Sequence, residues 1–252
     1  MSALAAVRAE GIKLSTTRAP LWSALGVAVL SLGLAAIQGW TSYDYSPLPP
    51  QKAALGVAVF GVPVLMILAA MTVTGEYRTG TIRTTFTATP DRTLVLVAKT
   101  VVCGVVSGLY AAVMVLAAVA VARLAADQPA GARLSLTDGG TFRLAGAIGL
   151  YAVLAVALGV GVGTLVRFSA GAVAVLLLWP MVAEPIVGNM PSFGPAVGPY
   201  LPFANMFRFL DVMWLYPTYA VPWGEIGSLV YFVAFVAAVF VAALVLVNRR
   251  DA

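Results

Sequence analysis

Charged residues are scarce in this sequence. Asp, Glu, Lys and Arg make up 10% of the 252 residues, whereas about 25% is usual for a soluble domain. Histidine is absent, and the single cysteine, Cys103, lies within an apolar run. These absences exclude a histidine-based metal site, a Ser or Cys nucleophile activated by histidine, and a disulfide framework.

The sequence also lacks the motifs of an energy source of its own. It contains no G-x-x-x-x-G-K-[ST] phosphate loop, no Gly-rich dinucleotide fingerprint and no H-E-x-x-H pattern. We therefore expect no catalytic residues, no metal and no cofactor bound by this chain. Energy for any uphill movement has to come from another chain.

What the sequence does have is apolar runs, since 61% of its residues are hydrophobic. Runs near bilayer length predict transmembrane helices, and the first is too long for the apolar core of a cleavable signal peptide. We predict an all-α membrane protein with six spans in a single domain, residues 1–252. The predicted spans are residues 19–38, 53–73, 94–121, 144–166, 170–183 and 226–247.

The distribution of Lys and Arg predicts the orientation of these spans. Ten of the fifteen basic residues fall on the side that carries both termini, and five fall on the other side. The positive-inside rule then places both termini in the cytoplasm of a multi-pass plasma-membrane protein. The net charge of +5 is accounted for by this topogenic bias, so no nucleic-acid partner is expected.

No Asp, Glu, Lys or Arg lies near the middle of a predicted span, which argues against a proton- or sodium-driven transporter. Glu184 and Asp211 fall in a Pro-rich segment, residues 184–225, in which we expect short extracellular helices. The two carboxylates are either ordinary loop residues or sit at shallow membrane depth. Arg208 and Asp211, spaced i, i+3, are candidates for an ion pair.

A polar connector of residues 74–92 separates the second and third spans. Its apolar side chains, Tyr77, Ile82 and Phe86, suit docking into a groove on a soluble partner, with arginines at the rim. The alternative is a plain connector whose arginines bind lipid headgroups. Residues 1–18 form either a short interfacial helix carrying Glu10, Lys13 and Arg18 or a solvated tail.

Three segments together resemble the membrane subunit of type-2 ABC transporters. They are residues 10–18 before the first span, residues 76–92 with Lys99 in the next helix, and the Pro-rich segment before the last span. The resemblance implies a bacterial permease that pairs with a second permease copy or homologue and with two cytoplasmic ATPase subunits, which bind ATP and Mg. It assigns ATPase coupling to Glu76, Tyr77, Arg78, Thr81, Ile82, Arg83, Phe86 and Arg92.

Within this resemblance, the apolar and uncharged spans favour an exporter of hydrophobic or amphipathic compounds, such as drugs, natural products or lipid-like molecules. A membrane sensor or immunity protein that binds a peptide or partner without transport is the alternative, and an intramembrane enzyme is disfavoured because the spans lack an acid, base or metal set. Small residues at helical spacing predict close helix packing, within one subunit or between two. These residues are Gly104 and Gly108 in the third span and Gly159 and Gly163 in the fourth.

Overall fold

The computed structural model describes residues 2–42, 48–127, 130–214, 216–217 and 219–249. Within these ranges the regular structure is helical, and six stretches are long and apolar enough to cross a membrane. This confirms the prediction of a helical protein with six candidate spans, while the side on which each end lies stays a prediction. The six stretches are Ala19–Trp40, Val57–Thr79, Arg92–Ala125, Gly139–Val166, Ser169–Gly188 and Glu225–Arg249.

Helices are numbered in chain order. A first helix, α1, precedes the spans, and a short helix, α5, joins the second span to the third. The fifth span consists of α8, a π-helical turn and α9. The bounds are α1 Ala3–Thr16, α2 Ala19–Trp40, α3 Pro50–Ala53, α4 Val62–Thr79, α5 Thr81–Ala88, α6 Arg92–Ala125, α7 Gly139–Val166, α8 Ser169–Leu178, α9 Glu184–Gly188, α10 Gly194–Val197, α11 Pro202–Phe209 and α12 Glu225–Arg249.

The second span runs further than its hydrophobic pattern predicted. Helix α4 continues through the first residues of the polar connector and ends only at Gly80, whose φ of 72° is the left-handed conformation that glycine readily adopts at a helix end. Helix α6 begins after Asp91, whose carboxylate accepts a hydrogen bond from the Leu94 amide at 3.0 Å. The connector of residues 74–92 is thus mostly helical, in three separate pieces.

Two spans widen locally into π-helical turns, at Val57–Gly61 and at Trp179–Ala183. Pro63 follows the first turn and Pro180 lies in the second. Proline lacks the amide hydrogen that would close a regular helical turn, and a π turn accommodates the interruption without ending the helix. Pro63 is therefore tolerated within the second span.

Helix α7 lies at the centre of the bundle and packs against α4, α6 and α12. Glycines permit the close approach: a Cβ at Gly159 would collide with the Met66 carbonyl of α4, and one at Gly163 would come within 2.9 Å of the Ala70 carbonyl. Gly108 lies against Gly149 of α7, and Gly104 against Val153. All four predicted glycines thus face neighbouring helices of the same chain.

The helix ends form two groups. One end of the bundle, called here the α5 end, holds α1, α5 and the last turn of α12, where the Asn248 amide donates to Thr93 Oγ1 at 2.9 Å. The opposite end, called the α11 end, holds the short helices α9, α10 and α11 of the Pro-rich segment. The prediction of short helices in that segment is confirmed; its extracellular location stays a prediction.

Candidate functional site

Four charged side chains form a closed ring at the α5 end. Lys13 Nζ lies 2.7 Å from Glu10 Oε1 and 2.9 Å from Glu76 Oε1. Lys99 Nζ lies 2.6 Å from Glu10 Oε2 and 2.8 Å from Glu76 Oε1. Each acid therefore contacts both lysines, and the ring carries no net charge.

The ring joins three helices that are distant in sequence. Glu10 and Lys13 are three residues apart and so lie on one face of α1. Glu76 lies in the last turn of α4, and Lys99 lies two turns into α6. Lys13 Nζ also lies 3.4 Å from Thr85 Oγ1, so the contacts of the ring extend to α5.

The ring is buried except at Lys13 of α1, which is partly exposed. The side chain of Lys99 is 2% exposed and that of Glu10 is 8% exposed, whereas that of Lys13 is 44% exposed. Removing one member would leave a buried cluster with one uncompensated charge, which is strongly unfavourable. Glu76 Oε2 already has no hydrogen-bond partner among the described residues. The ring thus holds α1 firmly against α4 and α6.

Glu10 and Lys13 are the two members of the ring that lie outside the spans, and Lys13 is the more exposed of the two. Partial burial of its ammonium group opposes the charge, but hydrogen bonds and attraction to Glu10 and Glu76 outweigh burial and raise the pKa of Lys13 above its ordinary value. Lys13 is therefore a cation at any physiological pH. The contribution of Lys13 to the pairing of α1 with the bundle therefore does not depend on a titration near neutrality.

Helix α5 has a buried apolar face and an exposed polar face. Ile82 and Phe86 are 4% and 8% exposed and pack in the chain's own core with Val73, Val95 and Val247. This contradicts the part of the docking hypothesis that gives these two side chains to a partner. They attach α5 to the bundle instead. The exposed face carries Thr81 and Arg83, together with Thr84 and Thr87. Arg78, which is also exposed, lies just before α5 in the last turn of α4.

Two further arginines fasten the connector to other helices. The Arg92 guanidinium lies 5.1 Å from the centre of the Phe86 ring, and its Nη1 donates to the Val247 carbonyl of α12 at 2.9 Å. Arg167 ends α7 in the left-handed conformation, with φ 59°, and its guanidinium lies 4.9 Å from the centre of the Tyr77 ring. Arg92 and Tyr77 therefore connect the 74–92 segment to α12 and to the α7–α8 turn.

A groove of about 240 Å³ lies between α1 and α5. Ala6 and Ala9 of α1 form one wall, Thr84 and Thr85 of α5 form the other, and Glu10 and Lys13 of the ring border it. Polar, basic and small side chains thus surround a concave surface beside the ring. Arg18, predicted to belong to the first helix, lies after α1 and directly before α2, where it is exposed.

At the α11 end, the expected ion pair is absent and one of the two alternatives for Glu184 is wrong. Arg208 and Asp211 do not pair: Arg208 Nη1 donates to the Trp223 carbonyl at 3.1 Å, and Asp211 Oδ2 accepts from Gln51 at 3.1 Å. The helix ends at Leu210, and Asp211 takes a φ of 53°, which turns its side chain away from the helical face. Glu184 is not a loop carboxylate, because it begins α9 and is 1% exposed.

Comparison of the chain with protein-family models and with curated proteins found no match. The candidate site at the α5 end therefore rests on its own geometry. It comprises the ring, the exposed face of α5 and the groove between α1 and α5.

Proposed function

We propose that this chain is the membrane-spanning subunit of an ATP-driven ABC exporter, and that a cytoplasmic ATPase subunit acts on its α5 end. The observation that carries the proposal is the ring of Glu10, Lys13, Glu76 and Lys99. It joins α1 to two spans beside α5, whose exposed polar face carries Arg83. Two identical or homologous permeases and two ATPase subunits would form the complete transporter.

The attachment of α5 supports a mechanical role. A partner that moves α5 moves a helix whose apolar face, Ile82 and Phe86, is packed into the core. Displacement then reaches α4 directly through Gly80, and reaches α1 and α6 through the ring. Rigid packing transmits such displacements because packed cores are not continuously deformable.

The polar face of α5 supplies the contact surface. Arg78 and Arg83 are exposed and have no ion-pair partner among the described residues, and threonines lie between them. Exposed cations of this kind suit a partner with an acidic rim, and they set the association rate and orientation more than the affinity. Tyr77 and Arg92 act behind this surface by fixing the connector to the α7–α8 turn and to α12.

Hydrophobic or amphipathic molecules are the cargo that the spans suit best. The described spans contain no charged group near their middle, and the buried charges lie in the ring and near the α11 end. Few residues of the first, fifth and last spans are buried, whereas most residues in the apolar stretches of the second span and of α7 are buried. The exposed helices therefore provide the faces for membrane lipid and for the second permease.

The test is reconstitution in liposomes with a candidate cytoplasmic ATPase subunit. We expect ATP-dependent export of a hydrophobic dye, and we expect the Arg78→Glu/Arg83→Glu double variant to lose export while the protein still folds. Exposed substitutions change the stability by about 0.5 kcal/mol or less. The matched control is Arg123→Glu/Arg133→Glu, at two exposed positions in the last turn of α6 and in the segment that follows it, and it should export normally.

Two results would overturn the proposal. One is export that persists when the ATPase subunit cannot hydrolyse ATP. The other is a cellular phenotype that an inactive ATPase leaves unchanged, which would favour the alternative of a sensor or immunity protein that binds its target without transport.

A further inference from the structure

A buried carboxylate lies near the α11 end, far from the ring. Glu184 is 1% exposed. Its Oε1 accepts from the Trp179 indole nitrogen at 2.8 Å, and its Oε2 accepts from the Phe203 amide at 3.0 Å and the Ala204 amide at 3.2 Å. The Phe203 amide also donates a second, longer hydrogen bond of 3.3 Å to Oε1.

The two amides belong to the first turn of α11, where helix geometry provides no acceptor. Pro202 begins the helix and has no amide hydrogen, and the first amide that bonds within the helix is that of Asn205, to the Leu201 carbonyl at 3.1 Å. The residue before the helix, Leu201, offers no side-chain cap. Glu184 therefore caps α11 from another helix, with a charge that suits a helix N-terminus.

No cation compensates this carboxylate in the part of the chain that the structure describes. The ion pairs found there involve other residues. The titratable groups that face Glu184 are phenols: Tyr151 from α7, Tyr231 from α12, and Tyr216 and Tyr219 from the segment between α11 and α12. Burial, with a smaller contribution from Glu184, raises the pKa of Tyr216 and Tyr219 above the ordinary value, so both stay neutral.

Glu184 lies at the junction between the fifth span and α11. It directly follows the π turn Trp179–Ala183 of the fifth span. Helix α11, which it caps, packs on α12 through Phe203 and Phe232, whose ring centres are 5.4 Å apart, and on α7 through Phe207 and Tyr151, at 6.1 Å. The carboxylate is thus a polar link from the fifth span to the helix that rests on α7 and α12.

We propose that Glu184 is a proton-binding site whose ionised form holds α11 against the fifth span and whose protonation releases it. The buried charge is stabilised by three N–H donors and by no cation, so taking up one proton is the available way to relieve its burial. Protonation removes the negative charge of Glu184 and turns one of its oxygens into an O–H donor. The protonated group therefore accepts hydrogen bonds from the three N–H donors less well than the carboxylate does. Protonation therefore leaves the first-turn amides of α11 without a full partner. The inference does not depend on the proposed function.

Hydrogen exchange of the Phe203 and Ala204 amides tests the proposal directly. The full-length protein is placed in lipid nanodiscs, and exchange at these two amides is measured by mass spectrometry with single-residue fragmentation, corrected for the intrinsic pH dependence. We expect exchange about ten-fold faster at about pH 5 than at about pH 8, the effect of losing a hydrogen bond to a charged acceptor. Exchange at Asn205, bonded within the segment, should change less.

Three variants separate protonation from a merely structural role. Glu184→Gln should make the exchange of these two amides independent of pH. Trp179→Phe removes one donor while keeping the carboxylate, so the charged form is less stable and the transition should move to higher pH. Asp211→Asn, at an exposed carboxylate of the same end, should leave the profile unchanged.

The proposal is overturned if the two amides exchange independently of pH in the natural protein, or if the transition persists in Glu184→Gln. Should Glu184→Gln fail to fold, the Trp179→Phe profile decides alone. A transition that does not move in that variant would contradict the assignment to Glu184.

Discussion

Lys99 Nζ of α6 lies 2.6 Å from Glu10 Oε2 of α1, although 89 residues separate the two in the chain. Both residues are almost fully buried. This pair fixes a helix that precedes the spans to the third span, and Glu76 and Lys13 close the ring around it. The amino-terminal helix is therefore an integral part of the bundle at the α5 end.

Removing Lys99 should destabilise the protein strongly. In Lys99→Met, Glu10 and Glu76 keep only Lys13 as a cation, so we expect a loss of about 3–5 kcal/mol, measured as unfolding in detergent. Adding Glu10→Gln leaves Lys13 and Glu76 as a neutral pair and should restore part of that loss. The control, Arg143→Met, breaks an exposed pair of 3.9 Å and should cost about 1 kcal/mol or less. Equal losses for the two single variants would contradict a stabilising ring.

The contribution of Lys13 should not change across neutral pH. Its pKa is raised in the folded protein, so the stability it provides is complete below the ordinary lysine value of about 10.5 and is lost as the pH rises through the higher folded value. The difference in stability between the natural protein and Lys13→Met should therefore be constant from about pH 6 to about pH 9 and shrink above that range. A difference that falls between about pH 6 and about pH 8 would mean that another group controls this contact.

Close packing of α7 on α4 predicts a sharp contrast between two glycines of α7. A Cβ at Gly159 would collide with the Met66 carbonyl, whereas a Cβ at Gly146 would meet nothing within 4 Å. We expect Gly159→Ala to destabilise the protein by about 1–3 kcal/mol. Gly146→Ala should be neutral or stabilising by up to about 1 kcal/mol, because alanine favours the helix. Thermal unfolding of both variants in one detergent gives the comparison, and similar values would mean that α7 does not approach α4 so closely.

The burial of Phe86 predicts that it stabilises this chain by itself, without a partner. Phe86→Ala should lower the stability of the isolated protein by about 3–5 kcal/mol. Phe142→Ala provides the control, since Phe142 is 55% exposed and its removal leaves no internal cavity. If Phe86→Ala left the isolated protein unchanged but weakened binding of an ATPase subunit, Phe86 would be a docking residue after all.

The sequence predicted the number and position of the spans because a bilayer requires long apolar helices, and that requirement is visible residue by residue. The ends were predicted less well. Helix α4 extends to Thr79 because Glu76 is neutralised by Lys13 and Lys99, so polar residues continue the helix. A hydropathy value describes each residue by itself. It cannot show that α1 and α6 supply the ion-pair partners of Glu76.

The same limit explains what was missed at the candidate sites. Glu10, Lys13 and Glu76 were recognised individually, but their joining through Lys99 depends on the crossing of α1, α4 and α6. Glu184 was assigned to a loop or to shallow depth because seven prolines follow it within residues 185–222. Its three donors come from α11 and from Trp179, and only the folded chain brings them to one carboxylate. Ile82 and Phe86 were recognised from the sequence as the apolar contact residues of a polar connector. In the folded chain they face the core of the bundle.

The location of the α5 end relative to the membrane tests the central claim most directly. Arg83→Cys and Arg143→Cys, exposed at opposite ends of the bundle, are each placed in a Cys103→Ala background and treated with a membrane-impermeant maleimide in vesicles of both orientations. We predict that Arg83→Cys reacts only in inside-out vesicles and is protected there by the bound ATPase subunit, whereas Arg143→Cys reacts only in right-side-out vesicles. Reaction of Arg83→Cys in right-side-out vesicles would contradict the account.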